Sequence, residues 1–483
     1  MLLDHLFYDT MLTTHLYERV AGRITTMIEK GTLRPGERVP SVRKLNEQLG
    51  VSMSTVLQAY ALLEDRGVLE AKPQSGYYVR LRQRELPPEP RISKPPRSAS
   101  KVDISLLAAE VHEAAMDPNN VPLGSASGSP DLLPGAKLNR MLGAIARRSV
   151  ATTNRYDSPQ GHHELLHQIA RRSLDWGCQL TSEDFIITFG ATEALNLCLR
   201  AVAKPGDTIA VESPTYFGFL QILESLNLKA LEIPTHPREG MSLEGLENAL
   251  KREKIAACFV VGNFHNPLGG CMPEANKKAL VEILNRRGIP LLEDEVYGDL
   301  HFGTSRPKPC KAFDKNGMVL TCSSFSKTLS PGYRVGWAAP GKFAAQVRRL
   351  KLTNTISTAT LPQMTIAEML HNGGYDRFMR HLRKAFELQV QCMSQAICKY
   401  FPEGTKMTRP MGGHVLWVEL PAAIDSLELY HKAVEKNISV VPGPLFSPKR
   451  DYRNFIRLNC GYPWTERIER AMITLGQLTA RML

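Results

Sequence analysis

Five short apolar segments separated by stretches of helical character recur between residues 184 and 321, and this alternation constrains the fold more than any other feature. The segments are Phe185–Thr188, Thr208–Val211, Ala257–Val261, Ile289–Leu292 and Met318–Thr321. Short apolar strands that alternate with helices predict an α/β domain built on a mostly parallel, doubly wound sheet. Ligands of such sheets bind outside the carboxyl ends of the strands. We therefore expect a functional site among the residues that follow each segment.

Polar groups suited to a flat, phosphorylated cofactor follow the first three segments. Gly190 opens a helix whose first amides, at Ala191 and Thr192, can receive a phosphate at the positive end of the helix. Tyr216 follows the second segment and can stack on an aromatic ring, although a tyrosine there can equally belong to the core. Asn266 follows the third segment and can hydrogen-bond a ring hydroxyl. Each of these signals is weak when taken alone.

The fourth segment runs into the acidic stretch Glu293–Tyr297. An aspartate beneath a pyridine nitrogen keeps that nitrogen protonated and makes the ring an electron sink, and Tyr297 can hydrogen-bond the phenolic oxygen of such a ring. Three consecutive acids ordinarily form a solvated turn, but directly after a buried strand they are unfavourable without partners. Asp294 is therefore a candidate partner for a pyridine nitrogen.

The fifth segment is followed by Lys327 in a bed of hydroxyl groups, with Ser324 before it and Arg334 seven residues after it. Lysine forms a Schiff base once its amine is held unprotonated, and the serine and the arginine resemble phosphate ligands. Lys327 is therefore the candidate anchor for pyridoxal 5'-phosphate (PLP). A solvated surface lysine is an equally good interpretation of this stretch alone, so the choice depends on the rest of the chain.

Residues 1–80 have the pattern of a winged helix. The predicted elements are helices over 15–30, 42–49 and 53–66 and strands over 68–71 and 77–80. Ser41 and Ser52 are the predicted N-caps of the second and third helices, and Gly50 closes the second helix. The last two helices form a helix-turn-helix, whose second helix is expected to lie in a DNA major groove. The two strands form the wing.

This segment resembles the winged helix of the GntR family through the stretches GERVPSVRKL (36–45) and GVSMSTV (50–56). The residues that the resemblance implies to face DNA are Arg43, Ser52, Ser54, Thr55 and Gln58 in the helices, with Lys72 and Gly76 in the wing. Members of the family often carry a long polar side chain around Met53 and Leu57, where this chain is apolar. The alternative is a small helical domain that serves only for docking.

Six short motifs in a fixed order resemble fold-type I aminotransferases of the aspartate aminotransferase superfamily. They are Gly190–Thr192, Pro214–Tyr216, Asn266–Gly269, Asp294–Tyr297, Ser324–Lys327 and Arg334. The resemblance implies an internal aldimine on Lys327 and a contact from Asp294 to the pyridine nitrogen. The other cofactor contacts that it implies come from Ala191, Thr192, Tyr216, Asn266, Tyr297, Ser324 and Arg334. Asn-Pro-Leu-Gly stands where the family usually has Asn-Pro-Thr-Gly, a change that leaves Asn266 in place.

The same resemblance extends to both sides of these motifs. It implies that Tyr156 reaches the phosphate bound by a neighbouring subunit and that Arg457 grips a substrate α-carboxylate in a bidentate fork. It also implies that Gly128 lies in a loop that closes over the substrate. Because Tyr156 would act across an interface, a homodimer is expected. A small C-terminal α+β domain is expected within residues 342–483.

The remaining composition bears on boundaries and surroundings. Residues 81–101 are rich in proline and basic side chains, which predicts an extended linker between the winged helix and an aminotransferase-like domain at 102–483. A formal charge of +12 permits an anionic partner. Nine cysteines without a CxxC pair or a His/Cys cluster fit free thiols and predict no metal site. No apolar run is long enough to span a bilayer, so we expect a cytoplasmic protein without membrane contact.

Taken together, the chain resembles the MocR/GabR group of transcriptional regulators over its whole length. The first hypothesis is a homodimeric regulator that binds a double-stranded DNA operator and senses PLP, or a small amino acid or amine effector, through the Lys327 aldimine. The second is a working aminotransferase that moves an amino group between an amino acid and a 2-oxo acid, with Lys327 as proton shuttle. The third is a degenerate PLP fold that serves only as a dimerisation platform.

Overall fold

The computed structural model describes residues 15–29, 31–72, 75–80, 86–372 and 374–483, and the chain divides into two compact units. One unit holds the N-terminal segment through Leu86 together with Ser394–Cys398, and the other holds Pro87–Met393 and Lys399–Leu483. The helices are α1 (Leu16–Glu29), α2 (Val42–Leu49), α3 (Met53–Asp65), α4 (Ser105–Met116), α5 (Gly135–Arg148), α6 (Val150–Thr153), α7 (His163–Ser173), α8 (Gly190–Val202), α9 (Phe217–Ser225), α10 (Leu243–Arg252), α11 (Glu274–Arg287), α12 (Ala344–Asn354), α13 (Thr360–His371), α14 (Gly374–Tyr400), α15 (Ser426–Val434) and α16 (Glu466–Arg481). The strands are β1 (Leu69–Lys72), β2 (Gly76–Val79), β3 (Ser100–Lys101), β4 (Val121–Pro122), β5 (Ile186–Thr188), β6 (Thr208–Ser213), β7 (Lys229–His236), β8 (Gly240–Met241), β9 (Ile255–Val260), β10 (Leu291–Asp294), β11 (Val319–Ser324), β12 (Gly336–Ala339), β13 (Lys406–Met407), β14 (Val415–Glu419), β15 (Ile438–Ser439), β16 (Val441–Pro442) and β17 (Phe455–Asn459).

The N-terminal unit is a winged helix-turn-helix, as predicted. Helices α1, α2 and α3 enclose a small core in which Tyr60 and Leu63 of α3 are fully buried. The side chains of Ser41 and Ser52 each accept a hydrogen bond from the amide three residues on, and these caps fix the starts of α2 and α3. Strands β1 and β2 pair antiparallel and form the wing.

A nine-stranded sheet forms the centre of the larger unit within the described residues, with the strand order β3-β7-β6-β9-β10-β11-β12-β5 and with β8 paired to β7. Strands β7, β6, β9, β10 and β11 are parallel to one another. Strand β12 is antiparallel to both β11 and β5, so β5 points in the same direction as the parallel strands. The carboxyl ends of β5, β6, β9, β10 and β11 therefore meet at one edge of the sheet, and β12 begins at that edge.

The predicted α/β class is confirmed, and the five predicted strands are present with shifted ends. The apolar pattern did not reveal β7 and β12, which are also part of the sheet. The second, smaller sheet has the order β13-β14-β17-β16 and is antiparallel, so the C-terminal part is α+β as expected. Burial of the strands fixes the position of the site. Leu291 and Leu292 of β10 are buried, and they hold the polar end of this strand in place.

The predicted linker over 81–101 is wrong from Pro87 onwards, and residues 81–85 lie outside the described residues. The segment Pro87–Lys101, called the strap below, belongs to the larger unit. Its Glu89 side chain forms an ion pair with Arg238 at 2.6 Å, and Ser93 exchanges hydrogen bonds with the backbone of Thr235. At its end, β3 pairs antiparallel with β7. Prolines keep the strap extended, and Ser93 and β3 form hydrogen bonds with the edge strand β7. Composition alone did not reveal these bonds.

Candidate functional site

The ends of the central strands line a cavity that is partly open to solvent. It is lined by Ala126, Ala191, Thr192, Leu195, Tyr216, Val261, Asn266, Asp294, Val296, Tyr297, Ser324, Ser326, Lys327 and Arg334. The predicted cofactor residues from all five strand ends therefore lie together, because parallel strands bring their carboxyl ends to one edge. The cofactor residue outside this cavity is Tyr156, whose side chain is 83% exposed.

The amine of Lys327 lies in the cavity and donates a hydrogen bond to the carbonyl oxygen of Ala126 at 2.6 Å. Burial and the nearby Arg457 lower the pKa of Lys327 to about 8, while Asp294 acts in the opposite direction. An amine with this pKa is partly unprotonated near neutral pH and can attack an aldehyde carbon. A solvated surface lysine does not fit this environment.

Asp294 ends β10 and is buried beside the cavity. Its Oδ1 accepts a hydrogen bond from the amide of Val296 at 3.3 Å. Burial raises the pKa of Asp294 to about 7, which means that the carboxylate lacks the compensation a buried charge requires. Its two acidic neighbours are held differently, since Glu293 accepts from Thr321 at 3.1 Å and Glu295 from Arg306 at 2.8 Å. The structure thus leaves Asp294 available for a cationic N–H group.

The opposite end of the cavity is built to receive an anion. Helix α8 begins at Gly190, so its first amides have no carbonyl partner within the helix and point towards the start of the helix. Arg334 donates to the carbonyl of Phe189 at 3.0 Å and to Ser326 Oγ at 3.4 Å. A Cβ atom at Gly190 would lie 2.5 Å from the Arg334 guanidinium, so only glycine permits this approach. Arg334 itself has φ = +51°, a left-handed conformation.

The groups suited to contact a ring lie between these two ends of the cavity. Asn266 donates a hydrogen bond from Nδ2 to the hydroxyl oxygen of Tyr297 at 3.3 Å. Burial raises the pKa of Tyr216 to about 12 and also raises that of Tyr297, so both phenols remain protonated donors at neutral pH. The cavity thus combines hydroxyl donors, the acid Asp294, the amine of Lys327 and an anion site. A hydroxylated pyridine that carries an aldehyde and a phosphate arm fits this combination of groups. The residues present therefore fit PLP.

Arg457 lies next to the cavity on β17 and is 1% exposed. Its Nη1 donates to Asn266 Oδ1 at 3.4 Å and its Nη2 to the carbonyl of Ser125 at 3.0 Å, whereas its Nε has no hydrogen-bond partner among the described residues. Burial lowers the pKa of Arg457 to about 10. A buried guanidinium without a carboxylate is costly, so this position is suited to an incoming anion.

Gly128 departs from its expected environment. It does not line the cavity, and a Cβ atom built on it would lie 2.8 Å from Phe386 Cζ. The amide of the next residue, Ser129, donates to the carbonyl of Gly461 at 2.8 Å. In this conformation the glycine is required for close packing of its loop on α14, and its role towards a substrate stays a prediction.

The sequence reasoning missed His414, which immediately precedes β14. Its Nδ1 lies 3.1 Å from Asn459 Oδ1, and its Nε2 has no partner within the described parts of the chain. Burial, followed by the charge of Lys327, lowers the pKa of His414 to about 3, so the ring is neutral. Its ring centroid is 5.7 Å from that of Tyr297. The Gly412-Gly413 pair before it was a signal of close backbone approach that could have singled it out.

The raised pKa of Asp294 makes the stability of the cofactor-free protein depend on pH. Below about pH 4 the carboxyl is protonated in both the folded and the unfolded chain. Between its unfolded value of 3.8 and about 7, the unfolded chain releases this proton and the folded chain retains it, so stability falls as the pH rises. We expect Asp294→Asn to gain up to about 4 kcal/mol over wild type across this window, measured by urea unfolding followed through tryptophan fluorescence. The raised pKa values of Glu232 and Glu295 are common to both proteins, so their effect on stability cancels in the difference between wild type and Asp294→Asn. Parallel curves of unfolding free energy against pH for the two proteins would contradict the expectation.

The predicted DNA-facing residues of the helices lie on the N-terminal unit. Arg43 of α2 and Ser54 and Gln58 of α3 are exposed. Ser52 Oγ is already engaged as the cap of α3 and lies 2.7 Å from Ser54 Oγ and 2.8 Å from Thr55 Oγ1. These three hydroxyl groups therefore form a connected cluster at the start of α3, which orders the N-terminal end of the helix.

A cation that the sequence reasoning overlooked, Arg38, lies beside the wing. Lys72 pairs with Glu70 at 2.8 Å and lies over the ring of Tyr78, so it is directed back onto the wing. Gly76 has φ = +101°, and the guanidinium of Arg38 lies against it, 3.1 Å from the position of a Cβ atom. The GntR-like stretch 36–45 contains Arg38, but the residues predicted to face DNA did not include it.

Comparisons with known proteins agree with this division. Residues 125–473 match the family model for aminotransferase class I and II, and residues 16–79 match that for bacterial regulatory proteins of the gntR family. The uncharacterised HTH-type transcriptional regulator YdcR of Escherichia coli (strain K12) is 40% identical over 467 residues, which cover 97% of this chain and 99% of that protein. The crystal structure of Pyrococcus horikoshii kynurenine aminotransferase has a TM-score of 0.73 and 28% identity, covering 78% of this chain and 95% of that one.

A further relative of the same composition is YjiR, also an HTH-type transcriptional regulator of Escherichia coli (strain K12), with 37% identity over 97% of this chain and 99% of that protein. Within the residues that the structure describes, no helix is both long and apolar enough to cross a membrane. The chain belongs to the GntR family of bacterial regulatory proteins in its MocR-type form, in which the winged helix is followed by an aminotransferase class I and II domain.

Proposed function

We propose that this protein is a transcriptional regulator that holds PLP in the strand-end cavity and binds operator DNA through its winged helix. The observation that carries the proposal is the buried Lys327 amine, with a pKa near 8, in a chain that also carries a helix-turn-helix. A pure dimerisation platform would not need an unprotonated amine, an uncompensated acid and an anion site in one cavity. We propose a cytoplasmic location, because a regulator of this kind has to reach its operator DNA.

Each part of the cavity has a distinct task in this proposal. PLP, when bound, supplies an aldehyde that condenses with amines and a ring that withdraws electrons. Lys327 would provide the amine, and Asp294 would accept a hydrogen bond from the ring nitrogen and favour its protonated form. The amides of Ala191 and Thr192, with Arg334, hold the phosphate. Together these residues would hold the ring and the phosphate in one orientation beside the Lys327 amine.

The effector is a small amino acid or amine that competes with Lys327 for the aldehyde. Arg457 favours an amino acid, because its buried guanidinium has an unpaired Nε and is linked to the ring site through Asn266. In the structure the Lys327 amine donates a hydrogen bond to the Ala126 carbonyl. Displacement of the amine would break this bond and so change the contacts around Ala126. An effector shifts DNA binding only by its difference in affinity for the two states.

The protein acts as a homodimer in this proposal, and its operator has paired half-sites. Tyr156 supports the dimer, because it is 83% exposed and does not line the cavity of its own subunit, so its ring is accessible to a neighbouring subunit. It would contact the phosphate held by the partner. An aminotransferase is the second candidate, favoured by the completeness of the cavity; it is weaker because the full-length relatives named above are regulators.

The test is binding of the full-length protein to its own upstream DNA, with and without PLP, for wild type, Arg43→Ala and Arg23→Ala. Both variants lose one exposed arginine of the winged helix, but only Arg43 belongs to the predicted DNA face. We expect Arg43→Ala to weaken binding by about 5- to 100-fold and Arg23→Ala to leave it within about twofold. Sequence-specific binding that neither variant changes would reject the predicted orientation, and the absence of any specific binding would reject the regulator.

A further inference from the structure

Helix α3 presents two large apolar side chains to solvent. Met53 is 50% exposed and Leu57 is 47% exposed, and they lie one helical turn apart. In the described part of the winged helix, the other exposed large apolar residue is Leu16 at the start of α1. The opposite side of α3 is fully enclosed, with Val56, Tyr60 and the other core positions at 0% exposure. About half of the surface of Met53 and of Leu57 is therefore available for a contact outside the core.

We propose that Met53 and Leu57 read the 5-methyl groups of thymines in the major groove of the operator. This inference rests on the proposed DNA-binding function and deepens it by naming the chemistry of the bases. The thymine methyl is the apolar group that base pairs display in the major groove. The N-terminal residues of a recognition helix contact base edges, and Met53 is the first residue of α3.

Neighbouring side chains support an A·T-containing site. Gln58 is also exposed and lies one turn after Ser54, about 100° round the helix from Leu57, where its amide can pair with adenine N6 and N7 of a neighbouring base pair. The hydroxyls of Ser52, Ser54 and Thr55 are bonded to one another, so they compete less for base edges. From Met53 to Leu63 the helix carries no acidic residue, which fits a surface that approaches phosphates. A protein partner would not require this absence of acid.

The flexibility of the two side chains suits this task. Methionine and leucine have no hydrogen-bonding groups that would be left unpaired against a methyl group, and methionine adapts its three rotatable bonds to an irregular surface. Removal of one buried methyl from such a contact corresponds to about a fourfold loss of affinity. Selectivity from two contacts in each half-site of a dimer therefore accumulates to a large factor.

The experiment uses duplexes selected by the full-length, PLP-loaded protein from a random-sequence pool. Each thymine of a selected duplex is replaced in turn by deoxyuridine, which removes only the 5-methyl group. We expect one or two thymines in each half-site at which this change weakens binding about fourfold. In Met53→Ala or Leu57→Ala the sensitivity at the matching thymine disappears and the other position is unaffected. Leu16→Ala, the matched control, keeps the wild-type pattern.

Three results would overturn the proposal. If every deoxyuridine duplex bound like its parent, sequence-specific binding would stand and the methyl contacts would not. If both variants kept the full wild-type sensitivity, other side chains would contact the methyl groups. If the pool yielded no preferred sequence, the proposed DNA-binding function would fail together with this inference. The first two results leave that function intact, so the two failures are distinguishable.

Discussion

Replacing Lys327 by arginine is expected to abolish covalent retention of PLP. Arginine keeps the positive charge near the Ala126 carbonyl, but its guanidinium stays protonated and cannot condense with an aldehyde. The protein-bound aldehyde should lose its shifted visible absorbance band completely, and dialysis should remove the cofactor. The amides of Ala191 and Thr192 and the Arg334 guanidinium, which are proposed to hold the phosphate, are unchanged, so weak reversible binding of PLP is expected to persist.

Lys327→Ala is the second variant, and Lys204→Arg is the control. Alanine removes the side chain and cannot clash with the walls of the cavity. If the arginine variant fails to fold, the alanine variant still tests whether Lys327 retains PLP. Lys204 is an exposed lysine of the same unit, and its replacement should leave the absorbance band unchanged. Retention of the band in both Lys327 variants would mean that PLP is attached to another amine. The assignment of Lys327 would then be wrong.

Replacing Arg457 by lysine is expected to weaken the response to amino acids by about 30-fold or more. Removing one partner of a buried charge pair costs about 2–5 kcal/mol, and a lysine cannot present two parallel N–H groups to a carboxylate. The measurement is a titration of the PLP absorbance with an amino acid and with the amine that remains after its carboxylate is removed. Only the affinity for the amino acid should fall.

Arg453→Lys is the matched control for this variant, because Arg453 lies nearby in sequence and its side chain is 82% exposed. It should respond to both compounds like wild type. An equal loss of affinity for the amino acid and the amine in Arg457→Lys would contradict the assignment. Arg457 would then support the cavity through Asn266 and the Ser125 carbonyl, with no direct contact to a carboxylate.

The predictable part of the site came from the ends of buried strands. Asp294 and Lys327 could be found because polar groups directly after apolar strands are conspicuous, and the parallel sheet brought them to one edge. Strand β12 escaped detection because Gly-Trp-Ala-Ala offers no β-branched run, and its antiparallel direction has no local signal. His414 and Arg38 escaped because their positions depend on contacts with residues far along the chain.

The strap shows a different limit. Its prolines predicted an extended chain correctly, but extension does not tell whether a segment is solvated or bound. Binding depends on Thr235 and Arg238, which lie about 140 residues further along and have no recognisable pattern in common with the strap. Likewise, Gly128 was expected to face a substrate, whereas its close approach to Phe386 became visible only in three dimensions.

The left-handed backbone at Arg334 sets two demands on one position that no single residue meets fully. A non-glycine residue in that conformation costs about 1–2 kcal/mol relative to one that adopts it freely. Folding stability alone would favour glycine or asparagine there, whereas the proposed phosphate contact requires the guanidinium that lies beside Gly190. We therefore expect that a related chain that no longer binds the phosphate can gain stability by changing this one residue.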